Sequence, residues 1–241
     1  MCTLLDLHSD VLLGVLTHLD CTLDLQRMLA TCRVLRLLCS SEAAHPIFQK
    51  ATLVVPVYDR EGAIVITVAD ALKRAPPGAR MRISAGIVVT GNITLKHPLH
   101  VTATGACLHG TLRLLGGHLF SEASAGLVHG LHIRHFDNEA VVADAGDWTL
   151  RDVMITSLRR TRASTSITVR NAASLVMEDC SVKDCNTGAC IARPTASLHF
   201  KRCLISSVRE AIVSQRGGTL VVEETTFEKV CRGCAGLCRA V

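Results

Sequence analysis

Apolar residues return at two different spacings along this chain. Over the first 50 residues they come back every three or four positions: Val11, Leu12, Val15, Leu16 and Leu19, then Leu25, Met28, Leu29 and Cys32, then Val34, Leu35, Leu37 and Leu38. That is helical spacing, and it predicts three short helices, the first with Ser9 in position to cap it. From about Ile66 onward, apolar and polar residues instead alternate in short runs closed by turn residues, the spacing of strands. The chain is therefore expected to divide into a helical domain over residues 1–50, a linker or first strand over 51–65, and a β domain over 66–241.

The β domain is expected to open on one short helix. Thr67 and Asp70 stand at the spacing of a capping box, and Pro76-Pro77-Gly78 stops the helix they start. Met81-Arg82-Ile83, Gly86-Ile87-Val88-Val89, Asn92-Ile93-Thr94-Leu95 and Pro98-Leu99-His100-Val101 then read as strands. Further on the sequence repeats itself. The segments starting at Ser174, Ser197 and Thr219 align at offsets of 23 and 22 residues, and Leu131-His132-Ile133 and Val153-Met154-Ile155 continue the series upstream. Each copy runs on to an Ala-apolar pair: Ala140-Val141, Ala189-Cys190 and Ala211-Ile212. A unit of about 22 residues with three short strands cannot cover its own apolar side and must stack on its neighbours.

The predicted fold class is mainly β, a right-handed parallel β-helix behind a small three-helix domain. Coils about 4.8 Å apart would set Leu175, Leu198 and Leu220 in one ladder. Val153, Cys180, Cys203 and Thr225 would form another. A leucine-rich repeat has a similar period, but its strand motif and asparagine ladder are missing, which ranks it second.

Composition sharpens this picture in one respect. With 49% hydrophobic but only 3% aromatic residues, the core has to be built from Leu, Val, Ile, Ala and Cys, shapes suited to regular stacking. Charge narrows the functional classes. The formal net charge of +5 is not gathered into Lys/Arg blocks, and a single Trp and a single Tyr leave little to stack on bases, so nucleic acid is not an expected partner. Nor is a membrane: no uninterrupted apolar stretch is long enough to span one, and residues 1–20 do not read as a secretion signal. The expectation is a soluble cytoplasmic or nuclear protein whose 12 cysteines are reduced thiols.

Three helices in about forty residues make a marginal core with leucines left over, which implies a partner. Leu7-His8-Ser9-Asp10-Val11-Leu12, followed by Val15-Leu16-Thr17-His18-Leu19, resembles the opening of the F-box. Asp24-Leu25 and Thr31-Cys32-Arg33 resemble its later helix junctions, and His45-Pro46-Ile47-Phe48 its trailing apolar segment. The likeness covers residues 4–50. His8 stands where the family usually has Pro, Leu35 where it usually has Trp, and Leu23 is an extra residue in the first loop. The resemblance implies docking to the Skp-family adaptor of a cullin-based ubiquitin ligase through Leu7, His8, Leu12, Leu16, Leu19 and Leu25. The repeats resemble pectin-lyase-like β-helices of the carbohydrate-binding-and-sugar-hydrolase type. Together the two likenesses imply a substrate-recognition subunit whose β-helix binds a target protein, with no catalysis and no cofactor of its own.

Other candidate chemistry is thinner. Many β-helices act on polysaccharides, so Asp144, Asp147 and Asp152 with Arg151, and Asp179 and Asp184 with Lys183, are the acid–base or calcium candidates. No set of them is expected to recur at matched positions on successive coils, and solvated turns are the default reading. Cys231, Cys234 and Cys238 offer three thiolates but no fourth zinc ligand, and Cys234 falls near a core element. Cys180, Cys185, Cys190 and Cys203 are expected inside. Arg159, Arg160 and Arg162 lie where the Val153-to-Cys180 spacing stretches to 27 residues, so they are expected on a protruding loop able to bind an acidic or phosphorylated segment.

Overall fold

In the computed structural model the chain is described over residues 52–58, 64–75, 77–116, 125–135, 139–158, 164–215 and 217–235. The expected three-helix domain, with Leu7, His8, Leu12, Leu16, Leu19 and Leu25, lies outside these residues. One helix is found among them. This helix, α1 (Val68–Arg74), is capped as its sequence predicts: the Thr67 side chain accepts from the Asp70 amide at 3.1 Å. It buries Val68, Ala71 and Leu72 against the start of the β domain.

The strands form three parallel sheets and one small antiparallel pair. The pair is β2 (Val57–Tyr58) with β3 (Ile64–Ile66). The first sheet stacks β1 (Thr52–Val55), β4 (Arg80–Ile83), β7 (His100–Thr102), β10 (Gly126–His129), β13 (Asp147–Arg151), β16 (Ser174–Glu178), β19 (Ser197–Lys201) and β22 (Thr219–Glu223). A second sheet stacks β5 (Val88–Thr90), β8 (Cys107–His109), β11 (His132–His135), β14 (Met154–Ser157), β17 (Ser181–Lys183), β20 (Leu204–Ser206) and β23 (Thr226–Glu228). The third stacks β6 (Ile93–Leu95), β9 (Leu112–Leu114), β12 (Glu139–Ala143), β15 (Thr165–Val169), β18 (Thr187–Ile191), β21 (Glu210–Ser214) and β24 (Arg232–Ala235). Because every third strand pairs in parallel, the chain winds as a β-solenoid of the right-handed type with about 6 turns. The parallel stack begins at Thr52, so part of the region 51–65 belongs to it as β1.

Register follows the repeat. Ser174 pairs with Ser197 and Ser197 with Thr219, so Leu175, Leu198 and Leu220 do share one interior ladder. All three are buried, as are Ile133, Ile155, Val182 and Ile205 on the second sheet and Val141, Ile167 and Ile212 on the third. One expected alignment is shifted. Val141, Ile167, Ala189 and Ile212 are mutually in register, so the counterpart of Ala140-Val141 is Gly188-Ala189, not Ala189-Cys190. The reason is steric, because a Cβ on Gly188 would come within 2.5 Å of the Ala211 carbonyl oxygen. Here the wall between coils admits only a small residue.

Coils differ in length. Successive first-sheet strands from β4 to β22 are separated by 20, 27, 22, 27, 23 and 22 residues. The added length is confined to connections, where residues 117–124 and 159–163 fall, and the strands on either side keep their register.

Candidate functional site

The corner between the first and second sheets requires a left-handed residue in each coil. Gly130, Asp152, Asp179, Arg202 and Glu224 occupy it with φ between 47° and 75°. From Gly130 to Arg202, each donates its amide to the carbonyl of the last first-sheet residue one coil on, every time at 3.0 Å. Glycine and aspartate tolerate this conformation, whereas Arg202 and Glu224 hold it against steric cost.

The next position of that corner is inside the column. Val153, Cys180 and Cys203 are buried there. The Val153 amide donates to Cys180 Sγ at 3.4 Å, the Cys180 amide reaches the Cys203 thiol, and the Cys203 amide donates to Thr225 Oγ1 at 3.3 Å. Each thiol turns its own hydrogen to a carbonyl of the preceding coil, Cys180 to Leu150 and Cys203 to Met177, both at 3.3 Å. The Cys203 thiol beside it, and then burial, push the Cys180 thiol well up, so it stays protonated. These cysteines are interior, as expected, and they also satisfy corner amides that would otherwise be buried without a partner. Cys185 and Cys190 are buried too.

The acidic candidates fall into two groups. Asp144 and Asp147 sit by the corner that enters the first sheet. Asp144 lies 3.1 Å from Arg113 and 3.9 Å from Arg170, which in turn holds Glu139 at 2.6 Å. Asp152 and Asp179, on the opposite corner, do occupy matched positions on successive coils, contrary to the expectation that no set would. They line a hollow of about 330 Å³ with His132 and Ser181. Backbone conformation accounts for the match, since Gly130, Arg202 and Glu224 share the same corner position. Arg202 grips Asp179 with two bonds of 2.7 and 2.8 Å and holds its carboxyl below the usual range. Arg151 is bound by Glu178 at 2.6 and 2.9 Å. Asp184 takes a second-corner position at φ 59°, and Lys183 lies on the outer face of β17.

The thiolate trio is not brought together. Cys231 is exposed, Cys234 is in register with Ile212, and Cys238 lies outside the described residues. Among the described residues no three His, Cys, Asp or Glu side chains are grouped to hold a metal. Arg159, Arg160 and Arg162 also lie outside the described residues, within the longer connection from β14 to β15. Next to that connection is a buried polar group that sequence reading missed: His135, Ser157, Ser164 and Ser166, with Ser166 Oγ 3.3 Å from His135 Nε2. The alternation of β11 carried the signal, because His135 stands two residues after the inward Ile133.

Comparison with protein-family models, curated proteins and solved structures gives no match. No helix among the described residues is long and apolar enough to cross a membrane.

The faces of the column differ in charge along its length. Between residues 77 and 135 the described chain carries five Arg and Lys and six His with no Asp or Glu. Between 139 and 235 it carries eleven carboxylates against nine Arg and Lys.

Proposed function

We propose that this protein is a noncatalytic recognition subunit, in which residues 4–50 dock to the Skp-family adaptor of a cullin-based ubiquitin ligase and the β-solenoid holds the target protein. The observation that carries this reading is the F-box-like run from Leu7 to Leu19 placed ahead of a β-solenoid. Stacked coils supply rigid, extended faces whose side chains recur at fixed intervals, a geometry suited to capturing another chain. Ubiquitin chemistry would belong to the partners, with this chain contributing proximity. A pull-down with the adaptor tests it: the full chain should bind at about micromolar concentration, and Leu16→Asp should not, because a charge in the helix-in-groove contact is buried unpaired. No association of the wild-type chain would end the adaptor assignment.

One observation favours a second reading, a polysaccharide lyase or glycoside hydrolase. Asp152 and Asp179 stack on successive coils beside a hollow. Arg202 favours the ionised form of Asp179, which suits a base or a metal ligand and not a general acid. Release of unsaturated or reducing ends from pectin, lost in Asp152→Asn, would select this reading over the first.

A further inference from the structure

Winding brings distant basic residues side by side on the first coils. On the outer face of the first sheet, Arg80 is in register with His100, and Arg82 with Thr102 and then His129. Round the corner on the second sheet, Thr90, His109 and Arg134 share one row, and Val88, Cys107 and His132 the other. Arg80, Arg82 and Arg134 are exposed and make no ion pair among the described residues, whereas Arg151, Arg170 and Arg202 of the later coils are each bound to a carboxylate. No described residue from 77 to 135 is acidic, so among the described residues the two faces carry an excess of positive charge. Among the described residues the carboxylates bordering it include Asp152 and Asp179, which line the hollow with His132, and Glu178, on the His129 row beyond Arg151; Asp179 is taken by Arg202 and Glu178 by Arg151.

The surroundings of the histidines report the same field. Burial and then the Arg80 charge lower His100, and burial followed by Arg134 and His109 lowers His132. An anion laid across these rows would remove that repulsion and favour their charged forms. The one Trp, Trp148, is buried, so the faces have no indole to stack on a base or a sugar ring. Arg80 and Arg82 stand two residues apart on one face of one strand, about 7 Å, the interval at which same-side carboxylates recur in an extended peptide.

We propose that the outer faces of the first two sheets over residues 80–134, carrying Arg80, Arg82, His100, His109, His132 and Arg134, bind a carboxylate-rich peptide segment. This rests on the reading of the solenoid as the target-holding part and names the chemistry of the target. Charge complementarity selects the occupant, and the flat unbroken rungs select an extended chain.

Fluorescence anisotropy of a labelled peptide of consecutive glutamates with the full-length protein tests it without any adaptor, so its outcome is separate from that of the pull-down. Saturable binding is expected, stronger at about pH 6 than at about pH 8 because a bound anion favours the charged forms of His100 and His132 while the glutamates remain ionised. Binding should weaken about tenfold in Arg80→Glu/Arg134→Glu, and less in the milder Arg80→Gln/Arg134→Gln, whose unchanged melting temperature excludes misfolding. Arg193→Glu/Arg209→Glu, off these faces, should leave affinity within about twofold. The proposal is overturned by absent binding, by equal loss in the control pair, by self-association of the chain in place of peptide binding, or by duplex DNA of equal charge competing as well as the peptide.

Discussion

The early and late coils of this column meet the same geometric demand with different residues. At the corners of the early coils the chain turns on Gly86, Gly91, Gly105 and Gly130, each with φ between 75° and 102°. At the same two corners, from the first sheet to the second and from the second to the third, the late coils turn on Asp152, Asp179, Asp184, Arg202, Ser207, Glu224 and Lys229, all with φ between 47° and 59°, and keep Gly146, Gly217 and Gly218 for the corner into the first sheet. Glycine adopts this conformation freely, and a larger residue needs compensation. The late coils supply it through longer strands, mostly five residues against three, through the Arg202–Asp179 and Arg151–Glu178 pairs, and through thiols that close the amides inside the corner. Among the described residues, charge neutralises neighbours in the late coils, whereas on the first two sheets of the early coils Arg80, Arg82 and Arg134 are left without an ion pair.

Exchanging corner chemistry should break this contrast most visibly. In Gly110→Ala the new methyl meets the carbonyl of Gly91 on the preceding coil, and a stability loss of about 2 to 3 kcal/mol is expected in urea titration. The opposite exchange, Glu224→Gly, relieves a left-handed glutamate and should gain about 0.5 kcal/mol in the same measurement. A gain from Gly110→Ala would mean that the early corners are not built around missing side chains.

The thiol ladder gives a smaller effect. Cys180→Ala strands the Val153 amide in the interior and should lower stability by about 2 kcal/mol, whereas Cys180→Thr, copying Thr225, should recover at least about half of that. Equal losses in the two variants would show that the thiol only fills space.

The smallest expected effect separates the two regions by pH. His100 and His132 are held below their ordinary value of 6.5, so the unfolded chain takes up protons before the folded one does, and the early coils lose stability as pH falls below about 6.5. Asp179 is held below its ordinary 3.8, so its contribution stays complete above that value and is lost only as pH falls further. Hydrogen exchange, corrected for intrinsic rates, should show protection falling first in residues 88–134 and later in 174–205. Simultaneous loss would mean that the histidines do not sense the early coils' charge.

Much of the column was legible because its later repeats are nearly equal in length. Ser174, Ser197 and Thr219 could be aligned by eye, the Thr67–Asp70 cap needs only local spacing, and the cysteines are as buried as their ladder implied. The Ala-apolar pairs were misaligned by one because Gly188 replaces the alanine where a side chain cannot fit. A first strand was expected within 51–65, but its pairing with β4 was not legible, since β4 lies beyond a helix and a hairpin. The basic face was invisible in the linear chain: Arg82 and His129 lie on one row only after two coils are wound. The match of Asp152 with Asp179 was implied by the Val153–Cys180 ladder, since each stands one residue before it, but the left-handed corner that sets both outside the column shows only once the coils are wound.

That uneven coil length marks where the fold tolerates added chain. The longer coils carry their extra residues at the connections with the rungs above and below in register, while a one-residue slip within a strand would turn every side chain to the opposite face. A segment grafted at the rim of the column should therefore change what the protein touches and leave its scaffold unaltered.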